Sequence, residues 1–408
     1  MLMKVLQINV LVDSGSTGKI VRDIDNVLVH NGIDSLICYG RKATDNTSRT
    51  YKFCTEAEAT IQKVLNRLGL TLMYGGNYFS TRRLIQKIKK EKPDIVHIHC
   101  LNGYCVNIYS LLNFLAAAGI KTVVTHHAEF FYTANCGYAF ECMKFLNGGE
   151  CSGCKLPRQS PENSRRGFPH KSWRKMYESF HRFKPGSLQF TAVSPWVKER
   201  SSLSAIVLGY PCTVVMNGVD TSIFCHRHDT QEVKSRIPKS NGKIIFHATA
   251  SFSEQPSLKG GNYIIELAKL MPEHTFVVAS NYSDVGSDLP SNLVLWGRTK
   301  DQNELAQLYS IADLTIITSR KETFSMIVAE SLCCGTPVIG FKAGGPETIA
   351  IRHYSQFVEY GNISELKKTI THYLTTSKQL IKEQISSEAS ELYSKKIMTD
   401  NYIKLYKN

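Results

Sequence analysis

Apolar positions in the chain switch repeatedly between strand-like and helix-like spacing. Residues 4–10 (KVLQINV) form a short, nearly continuous apolar run. A Gly/Ser loop follows, and then Ile20, Val21, Ile24, Val27 and Leu28 recur at helical spacing, with Gly32 as a stop. Residues 243–249 open the second half in the same way. Further strands are predicted at 34–39, 95–99 and 122–125, then at 275–279, 293–296, 314–318 and 337–340. Helical patterns fall between them, including 263–270, 304–311 and 325–334. Strands alternating with helices mean parallel sheets with crossover helices, so the predicted fold is α/β, two doubly wound halves in tandem. The expected boundaries are a first domain at 1–215, a second at 216–385 and an amphipathic final helix at 386–408 carrying Leu392, Ile397, Tyr402 and Leu405. Residues 130–185 break the rhythm and read as an insertion rich in Cys, Pro and basic residues.

A chain of 408 residues with 42% hydrophobic and 21% charged residues is ordinary globular material for two or three domains. No apolar run approaches the roughly 18 residues of a membrane span. The N-terminus reads as a first strand rather than a signal peptide, which places the protein in the cytoplasm as an expectation. Charge changes the picture more. With 49 Lys and Arg against 35 acids the net charge is +14, a field that favours anionic partners. Residues 155–184 hold nine of the basic residues against Glu162 and Glu178, and a second group sits at Arg82, Arg83, Lys87, Lys89, Lys90 and Lys92. Of twelve cysteines, four cluster: Cys136, Cys142, Cys151 and Cys154.

Residues 318–340 concentrate the candidate chemistry. A buried strand ends at Thr318, a helix starts near Ser325, and Gly335 with Pro337 stops it. Glu322 then lies in the loop at the strand's carboxyl end, where open α/β sheets bind ligands, and Glu330 lies on the helix. The N–H groups of Phe324, Ser325 and Met326 at the helix start suit a diphosphate. Read without further context, Glu322 is equally a first-turn acid favoured by the helix dipole, and Glu330 an exposed helix residue.

The two acids, with seven residues between them, closely resemble the signature of the retaining glycosyltransferases of family 4, also called glycosyl transferases group 1. The resemblance continues through Gly335-Thr-Pro-Val-Ile339, Gly344-Gly-Pro-Glu347, Asn217-Gly-Val-Asp220, Gly297 and Lys259-Gly260. In the first half it includes Gly15-Ser-Thr-Gly18, His97-Ile-His99 and Val193-Ser194. It spans nearly the whole chain and is most similar to the bacterial capsule, exopolysaccharide, O-antigen and colanic acid transferases.

The resemblance implies a GT-B fold: two Rossmann-like domains facing a cleft, with a C-terminal helix crossing back to the first. It implies Glu322 near the donor sugar, Glu330 on the nucleotide ribose and Lys259 on the diphosphate. His127 is implied beside the reacting sugar, with the adjacent His126 as the alternative assignment. Gly15 would belong to the loop closing on the phosphates, and Arg298 to the stretch that contacts the base. Relatives commonly carry an Arg shortly after the first strand of the second half. None stands between His247 and Leu258 here, which leaves Ser251, Ser257 or Arg320 to share its role.

The implied reaction moves a hexose from a UDP- or GDP-sugar to a lipid-linked glycan with retention, in surface polysaccharide synthesis. No cofactor is expected for catalysis. The lone Asp-x-Asp triplet, Asp23-Ile24-Asp25, sits on a predicted helix where i and i+2 diverge, so it reads as a solvated helix feature rather than a metal site. The four clustered cysteines form a candidate structural zinc site with a Cys-x-x-Cys knuckle at 151–154. The basic stretches, with Trp173, Tyr177, Phe180 and Phe183 interleaved, suit either an interfacial helix on an anionic membrane or a core-facing aromatic stripe. Two other functions are weighed. A nicotinamide oxidoreductase lacks its Gly-x-Gly-x-x-Gly fingerprint in Gly15-Ser-Thr-Gly18, and a nucleic-acid binder lacks an aromatic-basic module, so no nucleic acid is expected.

Overall fold

The computed structural model describes residues 3–42, 49–146, 168–238, 242–282, 286, 288–376 and 381–407. The chain divides into two compact units, Met1–Val215 with Thr399–Asn408, and Met216–Met398.

The first unit holds strands β1 Lys4–Asn9, β2 Asp34–Tyr39, β3 Thr50–Lys52, β4 Ile95–Ile98, β5 Lys121–His126, β6 Leu188–Ala192 and β7 Cys212–Val214. Its helices are α1 Gly15–His30, α2 Glu56–Arg67, α3 Tyr78–Glu91, α4 Ile108–Ala118, α5 Phe130–Thr133, α6 Pro169–Phe180 and α7 Pro195–Ser202. All strands pair in parallel in the order β3-β2-β1-β4-β5-β6-β7. The order reverses between β1 and β4, and these central strands are buried on both faces, as parallel sheets require. Helix α1 presents Ile20, Val21, Ile24 and Leu28 to the sheet, the spacing read from the sequence.

The second unit holds β8 Ile244–Ala248, β9 Thr275–Ala279, β10 Leu293–Gly297, β11 Leu314–Ile317, β12 Val338–Phe341 and β13 Ser355–Val358. Its helices are α8 Gln231–Ser235, α9 Gly261–Leu270, α10 Gln302–Ile311, α11 Met326–Cys333, α12 Gly345–Ile349, α13 Ile363–Thr376 and α14 Lys382–Tyr393; α15 Lys395–Lys407 begins here and from Thr399 belongs to the first unit. The sheet order is β10-β9-β8-β11-β12-β13, again all parallel, reversing between β8 and β11. Ile264, Leu267 and Ala268 of α9 and Leu366 and Ile370 of α13 bury one face of this sheet against Phe276, Val278, Ile316 and Ile339.

Three details differ from the sequence expectations. The short strands β3 and β13 and the polar-interrupted β6 carry too little apolar signal to be recognised in isolation. The expected single C-terminal helix is two, broken at Ser394. That break is held by the Asn217–Asp220 turn: Val219 bridges Ser394, and Lys395 Nζ reaches Asp220 Oδ2 at 2.5 Å. Asp25, expected to be solvated, is fully buried and paired with Arg22 and Arg49 at 3.3 and 3.1 Å.

Candidate active site

Lys259 and Glu322 meet at the reversal point of the second sheet. Lys259 lies in the loop after β8, and Glu322 follows β11, the two strands between which the order turns. Glycine makes the approach possible. Gly260 has φ +68°, and a Cβ there would fall 2.2 Å from the Thr318 carbonyl oxygen, so only glycine lets this loop lie on the end of β11. Thr318 Oγ1 donates to the Lys259 carbonyl at 3.0 Å, and Arg320 N to the Leu258 carbonyl at 2.8 Å. Lys259 Nζ then donates to Glu322 Oε1 at 2.8 Å, and Ser319 Oγ donates to the same oxygen at 2.7 Å. Burial pushes the Glu322 carboxyl up, but the charge and hydrogen bond of Lys259, with Ser319 and Ser325, outweigh it and hold the group below the ordinary carboxylate value. The result is a shielded, ionised carboxylate beside a half-exposed ammonium.

The backbone around Glu322 is fixed on its other side by β12. Glu322 N donates to the Ala343 carbonyl at 2.9 Å, and Gly345 N to the Glu322 carbonyl at 2.8 Å. A Cβ on Gly345 would meet the Thr323 carbonyl at 2.4 Å, which accounts for the Gly344-Gly345 pair. Glu347 caps its own helix through the N–H groups of Ala343 and Gly344 and is structural. Phe324 and Ser325 are buried at the start of α11, and Met326 is its first residue. The N–H groups of that turn have no intrahelical acceptor by geometry. Ser325 adopts φ +82°, a strained conformation for a non-glycine residue, and its buried hydroxyl makes no well-formed hydrogen bond. Glu330, one helical face further on, accepts from the Tyr309 hydroxyl at 3.2 Å. Arg298 is exposed just beyond β10, after Gly297. The three stand-ins for the missing Arg, Ser251, Ser257 and Arg320, are all exposed; Ser257 Oγ accepts from Gly260 N at 3.3 Å and Arg320 N donates to the Leu258 carbonyl, so both are tied to the Lys259 loop.

One neighbour escaped the sequence reading. His247, on β8, is buried; its Nδ1 pairs with the Ile316 carbonyl at 3.0 Å and its Nε2 has no partner. Burial lowers it to about 4, with Lys259 and Glu322 close enough to act on it, so it is neutral at physiological pH. Its place at the carboxyl end of β8 was the available signal.

In the first unit the reversal point is flanked by Gly15 and a set of buried histidines. Gly15 is exposed, opens α1 and has φ +68°. His99, after β4, pairs through Nδ1 with Nε2 of His127, after β5, at 3.1 Å, and through Nε2 with Gln7 Oε1 at 3.2 Å. His97 is bonded to Tyr406 and Thr125 at 2.6 and 2.7 Å. The neighbours His126 and His127 differ sharply. His126 stacks on Phe190 at 5.0 Å, is wholly buried and has neither ring nitrogen paired. Burial lowers both to about 3.

The insertion tests its expectations unevenly. Cys136 is buried and Cys142 partly so, while Cys151 and Cys154 lie outside the described residues. Arg200 pins the start of the insertion by pairing with the fully buried Glu129 and donating to the Phe140 and Cys142 carbonyls at 2.7 and 3.1 Å. Among the described residues, the grouping able to hold a metal is His226, His228 and Glu383, which is largely exposed and separate from the Lys259–Glu322 pair. The aromatic residues of α6 settle their alternative. Trp173, Phe180 and Phe183 are buried, with Phe180 against Phe190, so they form a core stripe and not an interfacial anchor. No helix among the described residues is long and apolar enough to cross a membrane.

The glycosyltransferase family 4 model matches residues 17–223, and the glycosyl transferases group 1 model matches residues 287–390. Over its full length the chain is 21% identical to WcaC of Escherichia coli K12, named as a colanic acid biosynthesis glycosyl transferase, covering 100% of both proteins. It is also 21% identical to an uncharacterized protein in the cps region of Klebsiella pneumoniae, over 96% of this chain and 97% of that one. Among solved structures, sucrose-phosphate synthase from Thermosynechococcus elongatus superposes with TM-score 0.68 at 12% identity, over 99% and 98% of the two chains. HepE of Anabaena, solved with UDP, gives TM-score 0.65 at 16% identity over 99% of each chain. These likenesses establish the GT-B fold. The family model covering half the chain, with the group 1 model over the acid pair, makes this protein a member of the group 1, family 4 glycosyltransferases.

Proposed function

We propose that this protein transfers a hexose from a nucleotide sugar to a lipid-linked glycan, with retention, in bacterial surface polysaccharide synthesis. The observation that carries the reading is the Lys259–Glu322 pair, placed at a sheet reversal beside an open helix N-terminus. Such a place suits a diphosphate next to a sugar. The structural relative HepE is described in complex with UDP-glucose, and the full-length relative WcaC is named for colanic acid synthesis, both in keeping with this donor and pathway class.

In this reading Lys259 and the N–H groups of Phe324, Ser325 and Met326 hold the diphosphate, and Glu330 receives the ribose. Arg298 lies along the base, and Gly15 lets the β1–α1 turn approach the phosphates. The bond from the sugar C1 to the diphosphate oxygen breaks, and its electron pair leaves with the diphosphate. The acceptor oxygen bonds C1 on the same face and passes its proton to the departing phosphate. Glu322 and His127 stabilise and orient the electron-deficient sugar. Lys259 takes the charge that a divalent metal would otherwise neutralise, so transfer is metal-independent. The four clustered cysteines serve as a structural zinc site, closed by four thiolates with no open position for substrate and therefore not catalytic.

The test is anomeric configuration by NMR coupling constants in the product of the EDTA-treated enzyme. A retained linkage at an unchanged rate is expected; an inverted linkage or full loss to EDTA overturns the mechanism. Zinc below about a tenth of an equivalent in tag-free protein rejects the cysteine site.

A further inference from the structure

Helix α2 is amphipathic the wrong way round for a soluble protein. Its buried positions are Ala59, Gln62 and Asn66, while Ile61, Val64 and Leu68 face solvent at i, i+3 and i+7. Leu70, Tyr78 and Phe79 follow, so that six large apolar side chains between 49% and 68% exposed arise from residues 61–79. Scattered surface apolar residues need no explanation, but a grouped set does.

The grouping is built by the polar side of the helix. Gln62 Nε2 donates to Thr71 Oγ1 at 2.7 Å, and Leu70 N donates to the Leu65 carbonyl at 2.9 Å. A Cβ on Gly76 would lie 2.1 Å from Gln62 Oε1, so the connecting segment is laid directly on α2 and delivers Tyr78 and Phe79 at the start of α3 beside it. Buried amides thus fasten the loop from within and leave the leucine, isoleucine and aromatic side chains outward. The surrounding charge is basic. Lys63, Arg67 and Arg82 border the apolar positions, whereas the acids Glu56 and Glu58 are engaged by Arg41 and Arg83 at 2.9 and 2.5 Å. A chain of net charge +14 repels a second copy of itself at such a face and attracts an anionic one.

We infer that the α2–α3 face of the first unit docks on an anionic lipid bilayer, with Ile61, Val64, Leu68, Leu70, Tyr78 and Phe79 inserted at the headgroup level. The inference rests on the reading that the acceptor is lipid-linked, and it moves the membrane contact from the α6 region, whose aromatics are buried, to a different surface.

The experiment is co-sedimentation of the full chain with phosphatidylcholine vesicles containing phosphatidylglycerol, compared with phosphatidylcholine alone. The parent should sediment with the anionic vesicles. The triple variant Ile61→Asp, Leu68→Asp, Phe79→Asp should bind them at least about tenfold more weakly while keeping the parent's melting temperature and nucleoside diphosphate affinity. An Arg174→Glu, Lys175→Glu, Arg182→Glu variant on and after α6 should sediment like the parent. The inference is overturned by a triple variant that sediments as the parent does, by loss confined to the α6 variant, or by a parent dimer that the triple variant dissociates. A parent that binds nucleoside diphosphate but no vesicle removes the docking face and leaves the transferase reading standing.

Discussion

Lys259 Nζ and Glu322 Oε1 are 2.8 Å apart although 63 residues separate them in the chain. The ammonium holds the buried carboxylate ionised and in place before any donor arrives. In the proposed reading, a bound diphosphate gives Lys259 a second anion and frees Glu322 for the sugar.

Glu322→Ala should lower kcat by about a hundredfold to a thousandfold, the scale of losing one preorganised electrostatic group. The residue is buried and its truncation strands the Ser319 hydroxyl at a cost of about 1–3 kcal/mol, so melting should drop modestly while circular dichroism stays near the parent's. Turnover like the parent's removes Glu322 from the site.

Glu330→Ala should raise the donor KM more than it lowers kcat, since a ribose contact is equally present in ground and transition states. It also leaves the fully buried Tyr309 hydroxyl without its carboxylate acceptor, at a cost of about 1–3 kcal/mol. Tyr309→Phe in the Glu330→Ala background should recover part of that stability without recovering KM. Recovery of both would make Glu330 structural.

The histidine pair separates by substitution. His126→Phe keeps the stack on Phe190 and removes two unpaired buried nitrogens, so stability should hold or rise and transfer should persist. His127→Ala breaks the bond to His99 and should cut transfer by about tenfold to a thousandfold. The reverse pattern would assign the role to His126.

These cases show what the sequence could and could not convey. The positions of the acids were legible because strand ends and helix starts are local, whereas Lys259 entered only through the family resemblance. The contact between Lys259 and Glu322 was not legible, because it depends on Gly260 lying against Thr318, a meeting of two loops in space. The assignment of His127, with His126 as its alternative, rests on the resemblance alone, because adjacent residues at a strand end face opposite ways and only the neighbouring β4 and β6 show what each packs against. The α6 aromatics fitted two environments equally until packing against Phe190 decided for the core. Helix α2 went unrecognised although Thr55 and Glu58 form a capping box, a signal present in the sequence itself.

Stability should fall with acid well above the carboxylate range. Burial lowers His126 and His127 to about 3 and His247 to about 4, and holds His97 and His99 well below 6.5. Between these values and about 6.5 the unfolded chain binds protons that the folded one does not, so stability is complete above that range and declines as pH drops through it. Each such histidine contributes at most about 1.4 kcal/mol per pH unit. Depression of Glu322 adds a loss in the same direction below 4.5. Melting temperature against pH should therefore fall steadily below about pH 6.5, less steeply in His126→Phe. A flat profile from neutrality to pH 5 contradicts the buried neutral histidines.

Calorimetric titration of UDP and GDP into the parent and into Lys259→Ala tests the donor site most directly. The account predicts that one of the two nucleotides binds the parent and that its affinity drops at least about tenfold, or 1.4 kcal/mol, when the ammonium is removed. Equal affinity in the two proteins, or no binding of either nucleotide to the parent, contradicts the placing of the diphosphate at Lys259.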